Sequence, residues 1–102
     1  MRGVKVIRIK RGCVRNVEGK VISQDYGYVI AILRWFKKPK YLRLRSGWYE
    51  KFSAGEPCDV ELTNSLYQAT EFRDESMNYL NKRLAEKVAK KIKEEPNKFI
   101  LY

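Results

Sequence analysis

Few side chains in this sequence could perform chemistry, and they are widely spaced. Asp59 and Glu61 lie two residues apart, so on a strand they would share one face and offer oxygen ligands to Mg²⁺. The chain has no histidine to act as a further ligand or as a general base. We therefore interpret both carboxylates as structural and expect no metal site, no cofactor and no enzymatic activity. A Mg²⁺-dependent nuclease using this pair is the last of three functional hypotheses.

Cysteine chemistry is restricted in the same way. Cys13 has cationic neighbours, as reactive thiols do, but no histidine could take its proton. Cys13 and Cys58 lack the CxxC spacing and cannot form a zinc site alone. We expect two buried thiols, with a single disulfide as the alternative because the composition is similar to that of hyperthermophile proteins.

Cations and aromatic residues form the strongest functional pattern. Residues 1–50 contain 13 lysines and arginines but 3 acids, whereas residues 51–102 contain 9 of each, so the first half carries the whole net charge of +10. Such an asymmetry indicates a polyanionic or acidic partner. Cations bind phosphates and aromatic rings stack on unpaired bases. The residues that we assign to this surface are Arg8, Lys10, Arg11, Arg15, Lys37, Lys38, Lys40, Tyr41, Arg43 and Arg45.

The alternative is a solvated face whose arginines pair with Glu18, Glu50 or acids of the second half. On the strand predicted over 41–45, Tyr41, Arg43 and Arg45 share one parity, opposite two leucines. If the leucines face the core, the other three side chains point outward together.

The elements that position these residues follow from periodicity and turn signals. Alternation and β-branched residues predict strands over 4–10, 41–45, 59–63 and 98–102, with weaker strands over 14–22 and 66–72 and a turn at 11–12. Apolar stripes predict helices over 23–38 and 74–94, each ended by a proline. The second helix has a one-sided stripe that includes Leu84, Val88 and Ile92. The first is apolar almost all round, which indicates burial on more than one side.

The two halves of the chain repeat this order. We predict an α+β fold of two similar tandem halves, strand-strand-helix-strand each, with helices packed on an antiparallel sheet. Residues 1–102 would form a single domain, built from an N-terminal half 1–45 and a C-terminal half 58–102 joined by a connector 46–57.

A seam between two such halves, together with open strand edges, would accept a protein or peptide partner. The aromatic residues expected to line the seam are Trp48, Tyr49, Phe52 and Tyr67. Tyr28 and Trp35 widen the stripe of the first helix and are candidates for a homodimer contact. Protein or peptide binding is the first functional hypothesis, and nucleic-acid binding through the basic half is the alternative.

The remaining composition places the protein inside a cell. No apolar run approaches the roughly 20 residues of a membrane helix. The first residues alternate charged and apolar side chains and lack the apolar stretch of a signal peptide. We expect an intracellular protein with no membrane partner.

The length, the composition rich in Lys, Arg, Tyr and Ile without His, and the two proline-terminated helix–strand units at 39–45 and 96–102 carry a resemblance. The chain resembles the small orphan proteins of filamentous viruses of hyperthermophilic archaea, such as the Acidianus filamentous viruses. The resemblance implies an accessory or host-interaction role in the host cytoplasm.

The predicted element order also resembles ferredoxin-like folds, which include RNA-recognition modules. Those modules stack bases on aromatic residues of their central strands, whereas 4–10 and 58–63 contain no aromatic residue.

Overall fold

The computed structural model describes residues 3–34, 37–73 and 82–101, which form six strands and two helices. The strands are β1 (Gly3–Arg15), β2 (Val21–Arg34), β3 (Lys37–Leu44), β4 (Cys58–Thr63), β5 (Phe72–Arg73) and β6 (Phe99–Leu101). The helices are α1 (Trp48–Ser53) and α2 (Lys82–Glu94), and a 3₁₀ turn spans Pro96–Lys98.

All six strands belong to one sheet in the order β1-β2-β3-β4-β6, and the short β5 also pairs with β2. Neighbouring strands are antiparallel except β4 and β6, which are parallel. The chain passes through α2 between these two strands, as a parallel connection requires. The predicted α+β class is confirmed.

Both helices contact the same face of the sheet, because strand alternation sends every second side chain toward them. Tyr28, Ile30 and Ile32 of β2 and Leu42 and Leu44 of β3 are buried in the core cluster. From α2, the predicted stripe residues Leu84, Val88 and Ile92 enter the same cluster. The outer side of α2 carries the expected i,i+4 ion pairs Lys82–Glu86 and Lys90–Glu94, each at 3.9 Å.

The helix predicted over 23–38 is wrong, because Val21–Arg34 is a strand. Residues 27–32 are buried on both faces of the sheet, and Val29 and Ala31, which face away from the helices, are fully buried. A strand covered on both sides reads as a continuous apolar run, which periodicity alone does not distinguish from a buried helix. Its β-branched and aromatic residues favour the strand.

Two consequences follow for the predicted repeat. The described residues of 1–45 form three strands, so the order strand-strand-helix-strand does not hold for the first half, and the ferredoxin-like order is not the order observed. Pro39 does not end a helix but lies inside β3. At this point Lys38 and Pro39 of β3 together oppose the single residue Leu33 of β2, which makes a β-bulge. Proline has no backbone N–H, and inside the bulge this absence removes no hydrogen bond between the strands.

The second half follows the predicted order. Strand β6 and helix α2 lie within the predicted ranges, and β4 begins one residue before its predicted range, while residues 74–81 of the predicted helix fall outside the described residues. The connector 46–57 contains α1, which the sequence analysis missed. Neither described helix has the length and apolar character needed to cross a membrane.

Candidate functional site

A two-stranded arm extends from the sheet. Lys10 of β1 pairs with Tyr26 of β2, and beyond this pair the two strands pair with no other described strand. β3 pairs with β2 only from Ala31 onward, and β5 pairs with β2 at Gly27 and Tyr28. We call residues 10–26 the arm. From Lys10 to its turn the arm is about 20 Å long, at about 3.3 Å per residue. The longest dimension of the chain is 51 Å.

A β-bulge marks the root of the arm. Arg11 and Gly12 of β1 together oppose only Asp25 of β2, and the register shifts there. The Gln24 amide stabilises the bulge, because Nε2 donates to the carbonyl oxygens of Arg11 (3.3 Å), Gly12 (3.0 Å) and Asp25 (3.0 Å). Bulges bend a strand and increase its twist, so this one changes the direction of the arm. The turn predicted at 11–12 is this bulge.

An ion pair joins the root to the body. Arg11 Nη2 donates to Glu71 Oε1, and the Glu71 side chain is only 14% exposed. The Glu71 side chain lies directly over Gly27 of β2, where a Cβ atom would come within 2.8 Å of Glu71 Cδ. The absence of a side chain at Gly27 therefore provides the space that lets Glu71 reach Arg11.

The turn of the arm is tightly hydrogen-bonded. Asn16 Oδ1 accepts hydrogen bonds from the backbone N–H of Glu18 (3.0 Å) and Lys20 (2.9 Å), and the Asn16 N–H donates to the Lys20 carbonyl at 2.9 Å. Arg15 Nη1 donates to the Gly19 carbonyl at 2.9 Å. Gly19 has a φ of 83°, in the left-handed region that glycine adopts readily. Asn and Gly are the residues that such turns favour, and this signal was present in the sequence.

The end of the arm exposes aliphatic side chains to solvent. Val17 in the turn is fully exposed, and Ile22 is 64% exposed. We call Val14, Val17, Val21 and Ile22 the apolar tip. All four residues lie at the end of the arm, and sequence reasoning missed their exposure.

Cations line the arm and its root. The Arg8 guanidinium lies over the Tyr26 ring at 4.5 Å. Lys10, Arg15 and Lys20 are exposed, and neither they nor Arg8 has an acidic partner among the described residues. Beside Arg8, an open pocket of about 230 Å³ is lined by Val6, Arg8, Tyr28, Lys82 and Glu86.

The ten residues predicted as one basic surface divide between two faces of the sheet. Arg8 and Lys10 pair with Tyr28 and Tyr26, and Lys40 pairs with Ile32, so these three lie on the face that carries the helices. Lys37 and Lys38 are exposed at the start of β3, and Arg11 and Arg15 belong to the arm. The remaining three, Tyr41, Arg43 and Arg45, lie on the opposite face.

The predicted orientation at 41–45 is confirmed, since Leu42 and Leu44 are buried while Arg43 and Arg45 are exposed. Both arginines contact the second-half acid Glu61, with N–O distances of 3.8 and 2.6 Å. Their charge is therefore partly neutralised by an acid, as the solvated-face alternative describes.

The residues assigned to a seam do not form one surface. The halves join through β3 and β4, which pair within the same sheet. Trp48 and Phe52 of α1 pack against the core, and the Trp48 ring meets the Phe72 ring at 5.7 Å. Tyr49 is 46% exposed, and Tyr67, between β4 and β5, is 90% exposed.

The homodimer contact needs a correction. Tyr28 is only 5% exposed and lies in the core, because β2 is a strand whose Tyr28, Ile30 and Ile32 share the helix-facing side. Its side chain is not available to a second copy. Trp35 lies outside the described residues.

The candidate chemical groups have ordinary partners. Asp59 contacts Lys51 at 3.8 Å, and Glu61 contacts Arg43 and Arg45. Within 3–34, 37–73 and 82–101, no three His, Cys, Asp or Glu residues cluster as a metal site would.

Both cysteines are free thiols. Cys58 is buried as predicted, and its burial raises the pKa of the thiol above the ordinary 9.0, an effect that Lys51 opposes and Asp59 reinforces. Cys13 is exposed, which corrects the prediction of two buried thiols. It lies on the arm, beyond the bulge, where both strands leave the core.

Comparison with known proteins gives no match to a family model, to a curated protein or to a solved structure. The function of the arm must therefore be inferred from its own geometry and charge.

Proposed function

We propose that this chain is a non-enzymatic nucleic-acid-binding protein whose contact surface is the arm and its root. The observation that carries the proposal is the row of cations Arg8, Lys10, Arg15 and Lys20, which have no acidic partner among the described residues. Such cations bind phosphates and release the counterions condensed there. A basic ribbon extended away from the sheet reaches a polyanion without interference from the body of the protein.

Charge on an edge strand also has a protective role, because lysine and arginine prevent two sheet edges from pairing. That role requires cations on the outer strand alone. Lys20 lies in the turn, outside either strand, and Arg15 ends β1 next to it. The cations at the end of the arm are therefore better explained by binding to a partner than by protection of the strand edge.

The test is fluorescence anisotropy of labelled duplex DNA, single-stranded DNA and duplex RNA, each titrated with protein across a salt series. The variant Arg15→Gln with Lys20→Gln removes two charges from the arm. The matched control, Lys87→Gln with Lys93→Gln, removes two charges from the exposed side of α2, where neither lysine has a described acidic partner.

We expect wild-type binding to weaken steeply with salt. The arm variant should reduce the slope of log K against log salt by about 0.9 for each lost phosphate contact on duplex DNA, and the control should leave the slope nearly unchanged. Equal effects of the two variants would show that net charge, rather than the arm, causes binding. No binding by the wild type to any of the three probes at low salt would refute the proposal.

A protein or peptide partner is the second candidate function, and the open outer edge of β1 favours it. β1 is terminal in the sheet, and β2 is its only neighbour among the described strands. Because β1 is basic, the added strand would be acidic. An alternating Glu-Val octapeptide should then slow hydrogen exchange of β1 amides. Unchanged exchange at saturating peptide would exclude this mode.

The origin of the chain belongs to the same proposal. Its resemblance to filamentous-virus proteins supports an accessory role in the host cytoplasm, and its net charge of +10 suits contact with a viral or host polyanion. The homodimer stays a prediction.

A further inference from the structure

The arm combines two features that one ligand would explain together. We infer that the partner of the arm is duplex DNA, bound without sequence preference, and that Val17 acts as a wedge which enters a base step from the minor groove and bends the duplex. This inference rests on the proposed function, since it assigns the class of nucleic acid and the mode of contact.

The side chains of the arm select duplex over single strands. Proteins that bind single strands stack bases on exposed aromatic rings. The arm has one aromatic residue, Tyr26, and the Arg8 guanidinium lies over its ring. The exposed apolar groups of the arm are instead the aliphatic Val14, Val17, Val21 and Ile22. Aliphatic side chains of this kind act as wedges in minor-groove binders.

The two amide side chains of the arm are not free to read bases. Asn and Gln side chains recognise adenine when both ends of the amide are available. Gln24 uses its Nε2 on the carbonyls of the bulge, and Asn16 uses its Oδ1 on the N–H groups of the turn. Both amides are thus occupied within the protein, which favours contact through phosphates and groove shape over recognition of adenine by these amides.

The wedge is held in position. Val17 follows Asn16, whose side chain accepts from two backbone N–H groups, and Gly19 closes the turn with a backbone bond to Asn16 O of 3.0 Å. A hydrogen-bonded turn keeps Val17 exposed without the ordering cost that a flexible loop would pay on binding. Arg15 at the end of β1 and Lys20 in the turn lie on either side of Val17 in the chain and would reach phosphates next to the wedged step.

DNA explains the apolar tip better than a second copy of this chain. Pairing two arms would bring their cations together, and like charges opposite each other destabilise a sheet. A polyanion is complementary to these cations and also accepts the aliphatic tip between its bases.

The experiment is resonance energy transfer between dyes on the two ends of a 30-base-pair duplex, with anisotropy of the same samples to measure binding. We expect the wild type to shorten the end-to-end distance, as a kink of about 20–90° would. Val17→Ser should bind within about fivefold of the wild type, because the phosphate contacts remain, yet should lose most of the transfer change. Asn16→Ala loosens the turn without removing the wedge, so this variant should lose part of the change in energy transfer.

The outcomes separate the two proposals. Wild-type binding without a change in transfer, or an undiminished change with Val17→Ser, would overturn the wedge and leave the binding function standing. A lack of binding to the duplex at low salt would overturn the wedge, and the proposed function would fall with it if single-stranded DNA and duplex RNA also failed to bind. Preference of tenfold or more for one duplex sequence over a scrambled one would overturn sequence-independent contact. Sedimentation of the free protein as a dimer that Val17→Ser dissociates would assign the tip to a second copy and overturn the wedge.

Discussion

Gly27 and Glu71 lie in contact across two segments that are far apart in the chain, and the missing Cβ of Gly27 is the space that the Glu71 side chain fills. From there Glu71 binds Arg11 at the root of the arm. The contact joins the segment that enters β5 to the bulge of β1, so it couples the body of the protein to the direction of the arm.

Gly27→Ala tests this coupling. The new Cβ would lie 2.8 Å from Glu71 Cδ and displace the carboxylate from Arg11. We expect a loss of about 1.5–3 kcal/mol in the free energy of unfolding, the range of a hydrogen bond to a charged group. The measurement is urea denaturation of Gly27→Ala, Glu71→Ala and the double variant. If displacement is the cause, the double variant is no less stable than Glu71→Ala alone; additive losses would contradict it.

Glu18→Gln is expected to tighten binding to DNA. Glu18 is exposed in the turn, and only its backbone N–H is used there, so the substitution leaves the turn intact. Loss of its negative charge beside phosphates should raise affinity by up to about fivefold, equivalent to about 1 kcal/mol for charges 4 Å apart in water. Anisotropy at low salt measures it. Glu50→Gln on α1, an exposed acid with no described ion pair, is the matched control and should change little; weaker binding by Glu18→Gln would indicate a basic partner instead.

The two thiols should differ in reactivity. Cys13 is exposed on the arm, whereas Cys58 is 1% exposed in the core. A thiol reagent such as dithionitrobenzoate should modify one cysteine rapidly in the native protein and the second only on unfolding. Cys13→Ser should abolish the rapid phase. Two rapid phases would contradict the burial of Cys58, and no reaction before reduction would indicate a disulfide.

Alkaline pH should weaken the contribution of Cys58 to stability. Burial raises the pKa of its thiol in the folded chain above the ordinary 9.0, so the folded state favours the neutral thiol. The neutral Cys58 thiol makes its full contribution to the free energy of unfolding below pH 9.0, and this contribution is lost as the pH rises through the pKa of the thiol in the folded chain. The free energy of unfolding of the wild type, compared with Cys58→Ala, should therefore fall above that pH. If the free energies of unfolding of the wild type and of Cys58→Ala changed in parallel from pH 7 to 11, ionisation of Cys58 would not be linked to stability.

The sequence predicted those elements whose pattern is local. The alternation at 41–45 placed Leu42 and Leu44 inward and Arg43 and Arg45 outward, and the stripe of α2 identified its buried face. β2 was predicted as a helix because both of its faces are buried, so alternation was hidden. This segment is buried on more than one side, as predicted, but the reason is that it forms a central strand of the sheet.

The arm was only partly accessible to sequence reasoning. Its cations were identified, but the turn was placed at Gly12 rather than at Asn16 to Lys20, where the side-chain hydrogen bonds of Asn16 and the left-handed Gly19 form it. The apolar tip was not identified, since exposure is a property of the fold. The contact of Arg11 with Glu71 spans 60 residues and depends on Gly27, so no local pattern could predict it.

We propose the arm as the surface that binds nucleic acid. Titration of ¹⁵N-labelled protein with unlabelled duplex DNA, followed by amide chemical shifts, tests it most directly. We expect the largest changes to fall within residues 10–26, centred on the turn, and the amides of β4 and α1 to change little. Changes centred on Arg43, Arg45 and the β3–β4 face, or no change at a saturating excess of duplex, would contradict it.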